Sequence, residues 1–252
     1  MRILKKFFWP VFTALVAVAL TLVLWSGREE QMSYRKMACS FEELPLGCVD
    51  ANAEWQTGLA FFDSAVTASK DTLQSLKNLL WEYWDIEFVG ADSAASSREV
   101  ILPLQVLKTK KSGCMGLAWL ALMVAEARNL PLNAILLPGH VFLRYGKKDD
   151  GRGQFGVKPK TENLEPNRRG YGYTDEEYRE KYKNGPWTGL EFKPLSAKQF
   201  VGLAAFDMGN LYLTGEPRRA LTWYRMAEEL FPVYPGIEAN QNVAKSLLPQ
   251  SL

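Results

Sequence analysis

Between Gly113 and Tyr145 the apolar pattern of this chain changes its period once, and that change limits the fold more than any other feature. From Cys114 to about Arg128 the apolar residues fall at helical spacing. Leu117, Leu120, Ala121, Val124 and Ala125 are set to pack inward, and Asn129 is placed to stop the helix. Beyond it, 133–137 and 140–145 read as consecutive strands joined through Pro138-Gly139. Residues 146–153 form a polar loop with the glycines a hairpin needs, and 154–164 return as a third strand, which Pro159 assigns to an edge or a bulge.

The two period-setting segments each begin with a reactive side chain. Cys114 opens the helix between Gly113 and Gly116, where free amides and the positive end of the helix dipole favour a thiolate. The same amides suit a developing oxyanion. His140, the single histidine of the 252 residues, opens the second strand. Alternation puts His140, Phe142 and Arg144 on one face, so a helix packed there brings thiol and imidazole together. The bland readings are a buried structural cysteine and a histidine that caps a turn. A third group is needed to orient the imidazole. Glu165 and Asn163 share one side of the returning strand; Glu165 is the first choice for its charge, with Asn163 in reserve.

The N-terminus is different in kind. Arg2, Lys5 and Lys6 precede 19 uncharged residues, 7–25, with Trp9 and Trp25 near the ends. That is close to the ~20 residues that cross a bilayer. The reading is an uncleaved transmembrane helix over 1–26, single-pass in an inner membrane, with the remainder exported to the periplasm. A cleaved signal is the alternative. Residues 27–50 read as a polar spacer. In an oxidising compartment Cys39 and Cys48 either close a disulfide loop or stay as two thiols, leaving Cys114 as the odd one. A net charge of +2 without a basic stripe argues against nucleic acid as a partner. One histidine and three scattered cysteines offer no metal-ligand spacing, and no cofactor is expected.

Further helices are expected at 53–68, from Asp71 through Trp84, and over 100–107 with a break at Pro103. Thr174-Asp-Glu-Glu177 and Ser196-Ala-Lys-Gln199 have the capping-box pattern and start helices near 175–183 and 197–213; a third runs over 217–231. The last two carry Gly209, Tyr212, Ala220, Tyr224, Ala227 and Pro232, like one tetratricopeptide unit with an inter-helix turn about one residue short. An ordinary antiparallel helix pair is the alternative.

Three stretches, Ser-Gly-Cys114-Met-Gly-Leu-Ala-Trp-Leu-Ala-Leu, Ala-Arg-Asn-Leu-Pro-Leu and Leu-Pro-Gly-His140-Val-Phe-Leu-Arg-Tyr, resemble the core of the transglutaminase-like superfamily, and Asn163-Leu-Glu165-Pro resembles its acidic position. The nearest likeness is to a bacterial branch with a tetratricopeptide-like C-terminus. The resemblance implies an α+β, papain-like architecture: a nucleophile helix on a small antiparallel sheet over 51–170, followed by a helical region over 171–252. It implies Cys114 as nucleophile, His140 as base and then acid, and Glu165 as orienting group. Many members carry Asp where Glu165 stands. Two functions follow. One is thiol acyl transfer on a peptide or protein substrate, ending in hydrolysis or transamidation. The other is a non-catalytic scaffold that binds a partner protein through its helical end.

Overall fold

The computed structural model describes residues 32–90, 97–146 and 162–248. The expected membrane anchor over 1–26, most of the loop at 91–97, the loop at 147–153 and the third strand up to residue 161 lie outside the described residues. Among the described residues no helix is long and apolar enough to cross a membrane.

The central element is helix α6, Cys114–Arg128, whose residues from Met115 to Ala125 are all buried. A helix apolar all round needs neighbours on every side. It packs against β3 (Leu132–Leu137) and β4 (His140–Tyr145) and against several helices. Asn129 ends it in the left-handed conformation, its N–H bonded to the carbonyl of Ala125.

Helix α1 (Tyr34–Phe41) lies where a spacer was expected. The backbone N–H groups of Tyr34 and Arg35 donate to the Glu126 carboxylate of α6 at 3.1 and 3.2 Å. Phe41 meets Trp119 of α6 edge to face with centroids 5.1 Å apart. The Cys39–Cys48 disulfide, Cα atoms 5.7 Å apart, closes the following loop. The described part of 27–50 is therefore folded. Its short helix buries Ala38, Cys39 and Phe41 and is held by these tertiary contacts.

Helices α2 (Ala53–Ser69) and α3 (Thr72–Asn78) follow, and α3 passes directly into a π-helical turn, Leu79–Tyr83. A break at Leu102 separates α4 (Arg98–Ile101) from α5 (Pro103–Thr109), with Pro103 at the first helical position as its missing N–H allows. Two residues of β1 (Glu87–Phe88) pair in parallel with two of β2 (Lys111–Ser112). This small sheet delivers the chain to Cys114.

The main sheet is antiparallel in the order β3-β4-β5, with β5 being Glu162–Leu164. Leu137 pairs with His140, so Pro138 and Gly139 form a two-residue turn, and Gly139 takes φ +65°, which glycine tolerates best. Leu195 N–H and Phe192 N–H bond to the outer edge of β3. Helix α7 (Asp175–Lys181) covers the face carrying Phe142, where Tyr178 stacks at 4.3 Å. Both capping boxes form, starting α7 and α8 (Ala197–Tyr212). Helix α9 (Pro217–Leu230) packs along α8, with Gly209 against the Tyr224 ring, and α10 (Gly236–Ser246) packs on α9. The described residues from Ser33 onward belong to one compact unit.

Candidate active site

The nucleophile position is built by close backbone approach. Gly113 is the N-cap of α6, and its N–H bonds to the Val100 carbonyl at 3.1 Å. One turn on, a Cβ on Gly116 would lie 2.2 Å from that same carbonyl oxygen. Only glycine lets α6 start so near α4. Cys114, the first helical residue and partly exposed, is the free cysteine. At such a position the backbone amides of the first turn have no intrahelical acceptor.

His140 and Glu165 meet beyond the end of β5. The imidazole Nε2 lies 2.8 Å from Glu165 Oε1 and 3.1 Å from Oε2. Cys114, at the start of α6, is near enough to the ring to raise its pKa. The structure thus joins His140 to Glu165 by direct hydrogen bonds. It does not bring Asn163 to the imidazole. The register sets Asn163 beside Arg144, four residues along β4 from His140. There it accepts from Arg144 Nε at 2.8 Å and donates to the Tyr173 carbonyl at 2.8 Å and to Asp175 at 3.1 Å. Glu165 itself follows β5 and caps a 3-10 turn, Pro166–Arg168. Continuing the register places it beside Phe142, two residues short of His140, and the length of glutamate spans the difference.

Glu165 is fully buried, yet three donors converge on it: His140, the Tyr178 hydroxyl at 2.7 Å and the Asn167 N–H at 3.4 Å. Burial alone pushes a carboxyl pKa up, but here the hydrogen bond and charge of His140, followed by Tyr178 and Asn167, hold it below the usual range. For His140 burial pulls the pKa down, while the hydrogen bonds and charges of Cys114 and Glu165 outweigh it and push it up to about 9. Both shifts favour an imidazolium paired with a carboxylate. Burial and the Glu165 charge both raise the phenol of Tyr178, which keeps it a donor.

Two residues that sequence reasoning missed belong to this site. Tyr178 holds the carboxylate, and Tyr182 stacks on the imidazole with centroids 5.9 Å apart and planes 6° from parallel. Their spacing of four behind a capping box was the available signal. Gln105, upstream of Cys114, is engaged elsewhere: its side-chain amide donates to Glu42 at 2.9 Å. Among the described residues no group of three or more His, Cys, Asp or Glu is arranged to hold a metal ion.

Cys114 stands at the start of the helix packed on the small antiparallel sheet, and the imidazole–carboxylate pair stands at the end of that sheet. A family model of the transglutaminase-like superfamily matches residues 50–201, which include every one of these side chains. The chain belongs to the transglutaminase-like superfamily. No curated protein and no solved structure matches it. The superfamily match ends within α8, so α9, α10 and the disulfide-bearing α1 lie outside it. Such a domain is compatible with cysteine-based acyl transfer and with a scaffold role.

Proposed function

We propose that the protein is a thiol acyltransferase or amidase in which Cys114 is the nucleophile, His140 the proton carrier and Glu165 the group that orients and charges the imidazole. One observation carries this reading. The only imidazole of the chain is hydrogen-bonded to a fully buried carboxylate, and the free thiol at the start of α6 is near enough to raise its pKa. The thiolate is the attacking form of a cysteine, and an imidazolium within hydrogen-bonding reach supplies its counter-charge.

In the proposed cycle the Cys114 sulfur attacks a carboxamide or peptide carbonyl and forms a C–S bond. The first-turn amides of α6 face the oxyanion. The His140 imidazolium passes its proton to the departing amine as the C–N bond breaks, leaving a thioester and a neutral imidazole. His140 then takes a proton from water or from a second amine as it attacks, and the C–S bond breaks to restore the ion pair. Glu165 remains ionised throughout.

We place this activity outside the cytoplasm, tethered by the apolar run at 7–25. The Cys39–Cys48 disulfide supports that placement, since structural disulfides persist in oxidising compartments. The test is to incubate the protein with cell-envelope extract and search Cys114 for an acyl adduct by mass spectrometry. The expected result is an adduct on Cys114, with no turnover by Cys114→Ser. Turnover retained by Cys114→Ser would sink the proposal. A second reading, a scaffold that binds a partner through its helical end, is favoured by exposed Val233, Val243 and Leu247 (63%, 46% and 47%) on and beside α10.

A further inference from the structure

Hydrogen bonding to Glu165 through one ring nitrogen does not by itself fix the plane of an imidazole. A neighbouring ring can, and in this site that ring is Tyr182. Its ring lies parallel to His140, within the distance range of favourable aromatic and cation–π contact. Among the described residues its hydroxyl makes no hydrogen bond, so the phenol oxygen does not hold the ring there.

The backbone does. Tyr182 N–H donates to the Tyr178 carbonyl at 3.0 Å, and its own carbonyl accepts from Gly185 N–H at 2.8 Å and the Trp187 indole at 3.0 Å. Trp187 in turn stacks on Phe192, part of the cluster under β3 and β4. Gly185 lies against Pro138, two residues before His140, so closely that a Cβ would come within 2.6 Å of the proline ring. The turn at 182–187 therefore lies against the hairpin turn leading into His140, while the Tyr182 ring runs parallel to the imidazole.

We propose that Tyr182 is a positioning residue whose ring face fixes the His140 imidazole in the plane that serves both Cys114 and Glu165, and shields that face from water. This rests on the acyl-transfer reading of the same site. The titratable and charged groups around the imidazole are Cys114 from α6, Glu165 beyond β5, and Tyr178 and Tyr182 from α7 and its end. The Lys181 ammonium stands 5.5 Å from the centre of the Tyr182 ring.

Because His140 is the only histidine, its two ring-nitrogen resonances identify themselves in a long-range proton–nitrogen spectrum of the full chain. The experiment titrates those resonances in wild type, Tyr182→Phe, Tyr182→Leu and Trp187→Phe, and measures iodoacetamide alkylation of Cys114 at pH 6. Tyr182→Phe, which keeps the ring, is expected to retain the wild-type midpoint and line widths. Tyr182→Leu is expected to lower the midpoint by roughly one pH unit, to broaden or double the resonances and to slow alkylation about fivefold. Trp187→Phe, which removes the indole donor that anchors Tyr182, is expected to broaden the resonances in the same sense, and it decides the question if the leucine variant does not fold. Wild-type spectra and rates in Tyr182→Leu, or in Trp187→Phe in its place, would overturn the proposal. So would a Tyr182→Phe effect as large as that of leucine, since the hydroxyl would then be responsible. A chain that transfers no acyl group from any donor would instead overturn the functional reading, leaving the imidazole resonances to decide the role of Tyr182.

Discussion

Glu165 at the end of the sheet is fully buried and Asp207 in helix α8 is partly buried, and their ionisation is pushed in opposite directions. Burial raises Asp207 to about 7, and among the described residues no hydrogen bond or ion pair offsets it. Its charge also helps raise the phenols of Tyr224 and Tyr234, after their own burial. Glu165 is fully buried and is nevertheless held ionised, because an imidazolium, a phenol and a backbone amide all donate to it. The number and charge of convergent donors, not depth, decide which carboxylate carries charge at neutral pH. The sheet end holds its carboxylate ionised, whereas the helical end shifts its carboxyl toward the protonated form.

The comparison breaks most visibly at Glu165→Gln. Removing the charge while keeping the shape should bring the His140 midpoint down from about 9. Acyl transfer should fall about 10³- to 10⁴-fold, as when a triad loses its carboxylate. Imidazole titration and steady-state turnover check this, and an unchanged midpoint would remove Glu165 from its role. Tyr178→Phe deletes one of three donors; turnover should fall about tenfold, with a Glu165 carboxyl that protonates at higher pH.

Stability against pH sharpens the contrast. His140 is raised above its unfolded value, so its contribution is fully present below about pH 6.5 and is lost as pH rises through about 9. Glu165 is depressed, so its contribution is present above about 4.5 and is lost as pH falls through its lowered pKa. The pair therefore stabilises most between about 4.5 and 6.5, and Glu165→Gln should flatten that part of a melting-temperature profile. Asp207 has the opposite sign to Glu165. Raised from 3.8 to about 7, it costs stability progressively as pH climbs between those values. Asp207→Asn should raise stability at pH 8 by on the order of 2 kcal/mol, with little change at pH 4; chemical denaturation at the two pH values tests this. The smallest expected effect is Asn163→Ala, about 1 kcal/mol from the loss of its bonds to Arg144 and Tyr173, with the His140 resonances unmoved.

What could be read from sequence here follows the range of the forces involved. Helix α6, the Pro138-Gly139 turn and the two capping boxes are local, each specified by neighbours a few residues away, and the structure places them within a residue or two of expectation. Choosing between Glu165 and Asn163 needed the register of β5 on β4, which alternation alone leaves open, since both residues point to one side. Tyr178 and Tyr182 come from a seven-residue helix whose role appears only when it lies across Phe142. Helix α1 was invisible because its order depends on Glu126, 91 residues away from Arg35, and on a disulfide. Asp207 looks like any helical surface aspartate until the fold brings Tyr224 and Tyr234 near it.

The central claim is that the Cys114 thiol and the His140 imidazolium act as one unit. With Cys39 and Cys48 joined, Cys114 is the single free thiol, so its alkylation rate can be followed from pH 5 to 10 without interference. The account predicts a rate at pH 6 within a few-fold of that at pH 9 in the wild type, and a loss of about 10²-fold or more at pH 6 in His140→Ala. A wild-type profile that rises only near the ~8.5 of an ordinary thiol, and that His140→Ala leaves unchanged, would contradict it.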